Sequence, residues 1–480
     1  FGCVKIGAIP VPVYPPSASG FTASLNKMSF ILEDCSAKAI MTDQAYYWSM
    51  KSNLAKNTSS LFDAKKLNWI ISNEITSEYE QSYTNYHSDI LFLQYTSGST
   101  DNPKGVMVSH ENMLANCHSV VDHLPIGVSW LPQYHDMGLI GYYIFFAIKG
   151  GTTYGFSPTD FIRRPALWLE TISKYRATAS SAPNFAYEYC ISPDRINAET
   201  LKGLDLSSLK FLMTAAEPIN AQTFRDFRSF YKNYGLKPDA FFAAYGLAEF
   251  TLAVSNYGRR ISQFDCEGLR NDLVSPGETE IMSCGKALGD TVIKIVDPVT
   301  LYEVPENAIG EIWTRGSSKA VGYWNKPQLT TDIFNAKIEG NSHTWLRTGD
   351  KGFLYDNELY VCGRVKDMII VRGLNYYPQD IEQLIEQDHR IRKGSVAAFS
   401  VDDAHGEKLV IVAGLKNKKK IPDTKSLNKL INNYHGIVAD EIIYVPASSV
   451  ARTSSGKIQR RENKARYLSN TLVAIQDSAP

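Results

Sequence analysis

Short apolar runs of strand length alternate with helical patterns through most of the chain, and this alternation restricts the fold more than any other feature. Runs at 38–42, 90–95, 128–131, 177–181, 209–214 and 240–244 have the length and side-chain type of buried strands. Helical spacing falls at 109–123, 165–175 and 219–233. Strands and helices taken in turn predict α/β layers around a largely parallel sheet. From about 280 to 363 the pattern turns β-rich, with Thr291–Val296 and Glu311–Trp313 set between Gly and Pro turns. The remainder reads strand, helix with Pro378 in its first turn, strands 395–400 and 408–414, helix 424–434, strand 441–445 and helix 458–468. A chain of 480 residues exceeds one ordinary core. The predicted organisation is α/β: a large N-terminal domain, 1–363, of layered subdomains including the β-rich one, and a small α+β domain, 364–480.

Composition removes several classes of function. With 44% hydrophobic and 21% charged residues the chain has the balance of a globular protein in water. Its longest apolar stretch, Met137–Ile148, is too short to span a bilayer and reads as a buried helix. The chain opens at Phe1 with no initiator Met, so a missing N-terminus is expected and the lack of a targeting signal decides nothing. Seven cysteines, odd in number and never spaced C-x-x-C, predict reduced thiols in the cytoplasm rather than disulfides or zinc. The nine histidines show no metal-ligand spacing either. Net charge is zero but unevenly spread: residues 366–480 carry 18 Lys and Arg against 13 Asp and Glu, residues 1–365 carry 32 against 37. A nucleic-acid binder would show a denser basic stripe. A mildly basic small domain suits an acidic protein partner or a polyphosphate.

Tyr95–Gly105 describes a loop able to hold phosphate. Thr96, Ser97, Ser99 and Thr100 flank Gly98, so hydroxyls and close-spaced backbone N–H groups can face one anion, and Lys104 adds a point charge. It is not the P-loop of common NTPases, which needs G-x-x-x-x-G-K-[ST]. Ser109 beyond it is a plausible helix N-cap. Four further segments gain meaning from this one. Tyr245-Gly246-Leu247-Ala248-Glu249 offers an aromatic face, a tight turn and a carboxylate that could reach a phosphate-bound cation. Arg347–Asp350 sets a carboxylate at a turn, able to accept from two ribose hydroxyls. His135 and Asp136 sit between an apolar strand and an apolar helix, where a histidine satisfied within the core is the plainer alternative. Arg452–Lys457 is a polar loop presenting one lysine. Read singly, each of these is ordinary turn, core or surface chemistry.

Together, Tyr95–Gly105, Tyr245–Glu249, Gly310–Trp324, Arg347–Asp350, Gly363–Gly373 and Thr453–Lys457 resemble, in order and spacing, the adenylate-forming superfamily of acyl-CoA synthetases, nonribosomal peptide adenylation domains and luciferases. Within it the chain looks most like the fatty acyl-AMP ligases, through Trp130–Gly138, Tyr245–Glu249 and Val371–Asp380. A Pro- and Gly-punctuated stretch near 258–282 resembles the insertion that marks those ligases, and the family's amino-terminal part looks truncated. Ala248 stands where most relatives have Thr, which removes one α-phosphate contact.

The resemblance implies a reaction and a set of roles. A fatty acid carboxylate attacks the α-phosphorus of ATP, giving acyl-AMP and pyrophosphate, and the acyl group then passes to the phosphopantetheine of an acyl carrier protein. Thr96 to Lys104 would hold the β- and γ-phosphates, and Glu249 with Thr96 would bind Mg²⁺. Tyr245 and Gly246 would meet adenine, lined also by Ala216, Glu217 and Pro218, while Asp350 and Arg364 would grip the ribose. Lys457, carried on a lid hinged near Lys366, would bridge carboxylate and α-phosphate, and His135 would border both. Phe145, Phe146, Phe185, Tyr187 and Tyr189 could wall an acyl tunnel or be plain core. A monomer is expected. An acyl-CoA synthetase and a non-catalytic carrier-protein binder are the alternatives.

Overall fold

A computed structural model describes residues 1–16, 21–56, 68–75, 88–96, 103–120, 125–371, 374–403, 406–453 and 456–475. Its centre is a seven-stranded sheet in the order Lys286–Ala287, Ala253–Gly258, Phe241–Gly246, Phe211–Thr214, Ala179–Ala182, Ile126–Ser129, Thr152–Gly155. The last five run parallel, and the first two add an antiparallel edge. Phe241-Phe242-Ala243-Ala244-Tyr245 is buried throughout. A parallel strand covered on both faces has no solvent side, so it reads as an unbroken apolar run. One cover is the helix Ala221–Lys232, whose Phe224, Phe227 and Tyr231 form a single stripe. Phe224 stacks on Phe241, and Tyr187 meets Phe227 edge-on. Asn220 caps this helix by accepting from Thr223 N–H.

One local expectation changes. The strand predicted at 128–131 is Ile126–Ser129, because the turn around Pro132 draws Trp130 and Leu131 out of the ladder. Between the phosphate-type loop and Ser109 the structure adds an element that the sequence reading did not assign. Lys104–Ser109 is itself a strand, antiparallel to Ile90–Thr96, so the loop closes a hairpin. The helix His110–Val120 follows, and Ser109 Oγ accepts from Asn112 N–H as expected of a cap.

The buried helix expected at Met137–Ile148 starts at Asp136 and widens to π-helical geometry over Leu139–Ile144 before ending at Phe145–Ile148. Such widened turns are rare and gather at functional sites. The Phe146 ring occupies the place a side chain at Gly127 would need, within 2.4 Å of an added Cβ.

A five-stranded sheet, Val292–Val296, Gly310–Arg315, Thr344–Tyr355 with Ala336–Lys337 and Glu358–Arg364, forms the β-rich part. Beside it, Ile261–Phe264 and Thr279–Met282 pair across the short helix Cys266–Arg270. Beyond the turn Val365–Asp367 the chain builds cores of its own. Helix Pro378–Ile385 packs on the sheet of Ile391–Asp403, Gly406–Leu415 and Glu441–Pro446, with Ile381, Val396, Ile411 and Ile431 fully buried. Among the described residues no helix is long and apolar enough to cross a membrane. All seven cysteines are free.

Candidate active site

The C-terminal ends of the parallel strands open into a cavity of about 1850 Å³ that the β-rich sheet and the C-terminal segment roof over. Thr96, Lys104, His135, Ala216, Glu217, Pro218, Tyr245, Gly246, Glu249, Asp350, Arg364 and Lys457 all line it. Ser97, Gly98, Ser99 and Thr100 lie outside the described residues; the hairpin ends flanking them, Thr96 and Lys104, pair directly. Residues up to 361 apart in sequence thus meet at one place.

Asp350 is held from several sides. Glu311, nearly buried, accepts from Arg347 at 2.7 Å and from Gly349 N–H at 3.1 Å, while Thr348 Oγ donates to Ile312 O. Gly349 takes the left-handed conformation, φ +72°, that lets the turn close. The carboxylate so presented accepts from Tyr245 Oη at 2.6 Å and from Arg364 Nε at 3.1 Å. Each oxygen keeps a lone pair for a further donor. Asp350 raises the Arg364 guanidinium above its ordinary pKa. Gly246 is required by close approach: an added Cβ would stand 1.9 Å from Leu252 O.

Glu249 accepts from Tyr323 Oη at 2.8 Å, and the Lys104 ammonium lies 5.7 Å from the centre of the same tyrosine ring. Burial raises the Glu249 carboxyl above its ordinary value, with the Tyr323 hydroxyl only partly opposing. Glu217 is pushed up to about 7 by burial, although Phe185 N–H donates to it at 2.8 Å and Lys457 acts against the shift.

His135 Nδ1 sits 2.6 Å from Asp136 Oδ1. Burial would raise Asp136, but His135, Lys457 and Met137 N–H outweigh it and hold the carboxyl at about 2. Lys457 closes the cleft. Its ammonium is lowered by burial and by Arg364, with Asp136, Glu217 and Asp350 opposing. The loop that carries it is pinned by Thr453, whose N–H donates to Lys457 O and whose Oγ accepts from Lys457 N–H.

Of the aromatic residues considered for an acyl tunnel, Phe145, Phe146, Phe185 and Tyr189 line the cavity. Tyr187 does not: it is 1% exposed, packs on Phe227 and Phe241, and donates to Met213 O. Sequence reasoning passed over Glu311 and Tyr323, which orient Asp350 and Glu249. Both fall inside the Gly310–Trp324 segment already noted, but nothing local in that segment names their partners.

The chain matches the AMP-binding enzyme family over residues 1–324. Over residues 366–477 it matches a family described as the Disco-interacting protein 2-like AMP domain. It is 37% identical to the medium-chain-fatty-acid–[acyl-carrier-protein] ligase JamA of Moorena producens, covering 98% of this chain and 83% of that protein. To the long-chain-fatty-acid–AMP ligase FadD26 of Mycobacterium marinum it is 34% identical, over 98% and 84%. The crystal structure of a fatty acyl-adenylate ligase from L. pneumophila, in complex with acyl adenylate and pyrophosphate, superposes with a TM-score of 0.71 at 36% identity, covering 98% of this chain and 84% of that one. The chain belongs to the AMP-binding enzyme family and, within it, to the fatty acyl-AMP ligases.

Proposed function

We propose that this cleft joins a fatty acid to AMP and then delivers the acyl group to the phosphopantetheine thiol of an acyl carrier protein in the cytoplasm. The carboxylate oxygen bonds to the α-phosphorus of ATP as the bond to pyrophosphate breaks. In the second step the thiol sulfur bonds to the acyl carbon, its proton leaves, and AMP departs. What carries the reading is Lys457, set among Asp136, Glu217, Asp350 and Arg364 in one cavity. Two anions must meet there, so the main obstacle is their repulsion, and a fixed cation that reaches both relieves it. Arg364 and Asp350 would hold the ribose, Tyr245 and the Ala216–Pro218 turn the base, and Lys104 with the hydroxyl loop the outer phosphates. His135 would border the α-phosphate, kept in place by Asp136.

Magnesium fits Glu249: a carboxylate that burial destabilises, balanced only in part by a tyrosine hydroxyl, gains most from a nearby cation. Thr96 would be its hydroxyl ligand. When bound, the ion would supply Lewis-acid charge neutralisation at the phosphates.

Residues 364–480 would act as a lid on the body 1–363, turning at Lys366 within the short Val365–Asp367 turn. It joins the body through an apolar cluster, in which Met368 and Tyr377 pack with Phe264, Leu269 and Phe353, and through polar contacts. Gln383 accepts from Asn220, Asn375 donates to Asp272, and Arg270 of the 258–282 segment reaches Tyr434 O.

Labelled fatty acid, ATP and coenzyme A incubated with the protein test this reading. Pyrophosphate release with accumulating acyl-AMP is expected. Acyl-CoA as the product would make it a CoA ligase, and no pyrophosphate at all would leave only a carrier-protein binder.

A further inference from the structure

On the strand Ala179–Ala182 two neighbouring serines have opposite circumstances. Ser180 is satisfied: its Oγ donates to Val128 O at 2.6 Å and accepts from Trp168 Nε1 at 2.8 Å. Ser181 faces the cavity on the other side of the strand, is 0% exposed, and its Oγ is buried with no hydrogen-bond partner among the described residues. Native proteins rarely leave such a group alone, and each instance asks for a cause. Its cavity neighbours across the sheet are apolar, with Met213 directly opposite in register and Ala179 and Phe211 one pleat further in.

A second hydroxyl converges on the same spot. Tyr142 belongs to the π-helical stretch Leu139–Ile144, lines the cavity and is 4% exposed. The Ser181 and Ser180 hydroxyls lie close enough to its own to oppose in part the upward push of burial on the phenol, but the approach of Ser181 falls short of hydrogen-bond geometry. Thr153 Oγ donates to the Tyr142 backbone carbonyl and fixes the residue there. The level is set by register. Met213 lies two to four residues inward from the Ala215–Glu217 turn at the mouth, a strand distance of about 7–13 Å.

We propose that Ser181 and Tyr142 form a specificity site for an oxygen carried part-way along the acyl chain, so that the preferred substrate is a hydroxylated or keto fatty acid rather than a plain one. The inference rests on the acyl-adenylate reading above and narrows its substrate class. A buried hydroxyl left unpaired by a plain chain penalises that chain. An acid whose own hydroxyl meets it at the right carbon does not incur the loss.

The test offers the full chain ATP with chain-length-matched acids, one plain and the others bearing a hydroxyl moved one carbon at a time, and reads kcat/KM from pyrophosphate release. One isomer is expected to exceed the plain acid by about tenfold or more. Ser181→Ala should bring that ratio close to one, and Tyr142→Phe should lower it without moving the preferred position. Equal use of every isomer, or a ratio unchanged in both variants, overturns the proposal. Should one variant fail to fold, the other still reads the ratio. No pyrophosphate with any acid would instead overturn the acyl-adenylate reading, and the specificity site with it.

Discussion

Asp350 and Lys457 line one cleft but are held there in different ways. Asp350 is fixed by a rigid turn, Glu311 behind it and Tyr245 beside it, so it is built to bind rather than to move. Lys457 sits on a loop held mainly by its own backbone, in a site whose carboxylates supply part of its counter-charge. The two should fail differently when removed. Lys457→Ala is expected to slow acyl-AMP formation by about 100- to 1000-fold while ATP still binds, as single-turnover kinetics alongside nucleotide titration would show. Asp350→Ala is expected to weaken ATP binding by roughly 10- to 100-fold, the loss of charge-assisted hydrogen bonds. An unchanged ATP dissociation constant in that variant would remove Asp350 from ribose binding. At this scale the sequence pointed to residues that the fold gathers around one cavity. It said little about their restraints, because Glu311 and Tyr323 act across 36 and 74 residues of chain.

Among elements, the helix Asp136–Ile148 and the strand Ile126–Ser129 fit together by a ring lying over a glycine. Gly127 has no side chain, and Phe146 fills that space against the sheet. Gly127→Ala places a methyl within 2.4 Å of the ring, so the ring must turn toward the cavity it lines. Overpacking of this kind is expected to cost about 1–3 kcal/mol, measurable by urea unfolding. If the acyl chain enters this cavity as proposed, the same variant should lose its longest substrates first, since the displaced ring narrows it; a chain-length profile identical to that of the parent would refute this. The length of its apolar run identified the helix and its burial. It could not foresee the π-helical widening, because an extra residue in a turn leaves no trace in a 3.6-residue pattern.

For the whole molecule, closure of the proposed lid should depend on pH. Burial raises Glu217 to about 7, with Phe185 N–H and Lys457 opposing and Glu188 adding to the shift. Burial also raises Glu386, on the lid, to about 7, with the N–H groups of Gly394 and Ser395 opposing and Glu382 and Glu188 adding. In an open form both carboxyls regain water and return toward 4.5. The closed form therefore binds more protons between about 4.5 and 7. Closure is best supported at the acid end of that window and loses support as pH rises through about 7. Small-angle scattering of the ligand-free protein should give a larger radius of gyration at about pH 8 than at about pH 6. A radius independent of pH would show that these carboxyls do not report on the lid.

What the sequence determined by itself is the kind of thing that local order encodes. Strand and helix follow from the period of apolar residues, and the family from six segments in fixed succession. Which groups face one another was decided only when the sheets came together. The tertiary structure brought Lys457, Asp136 and Glu217 to one cavity, paired the strand Lys104–Ser109 with Ile90–Thr96, sent Tyr187 into the core and left the Ser181 hydroxyl without a partner among the described residues. Contacts between distant segments depend on how whole layers pack, and no short window of residues carries that information.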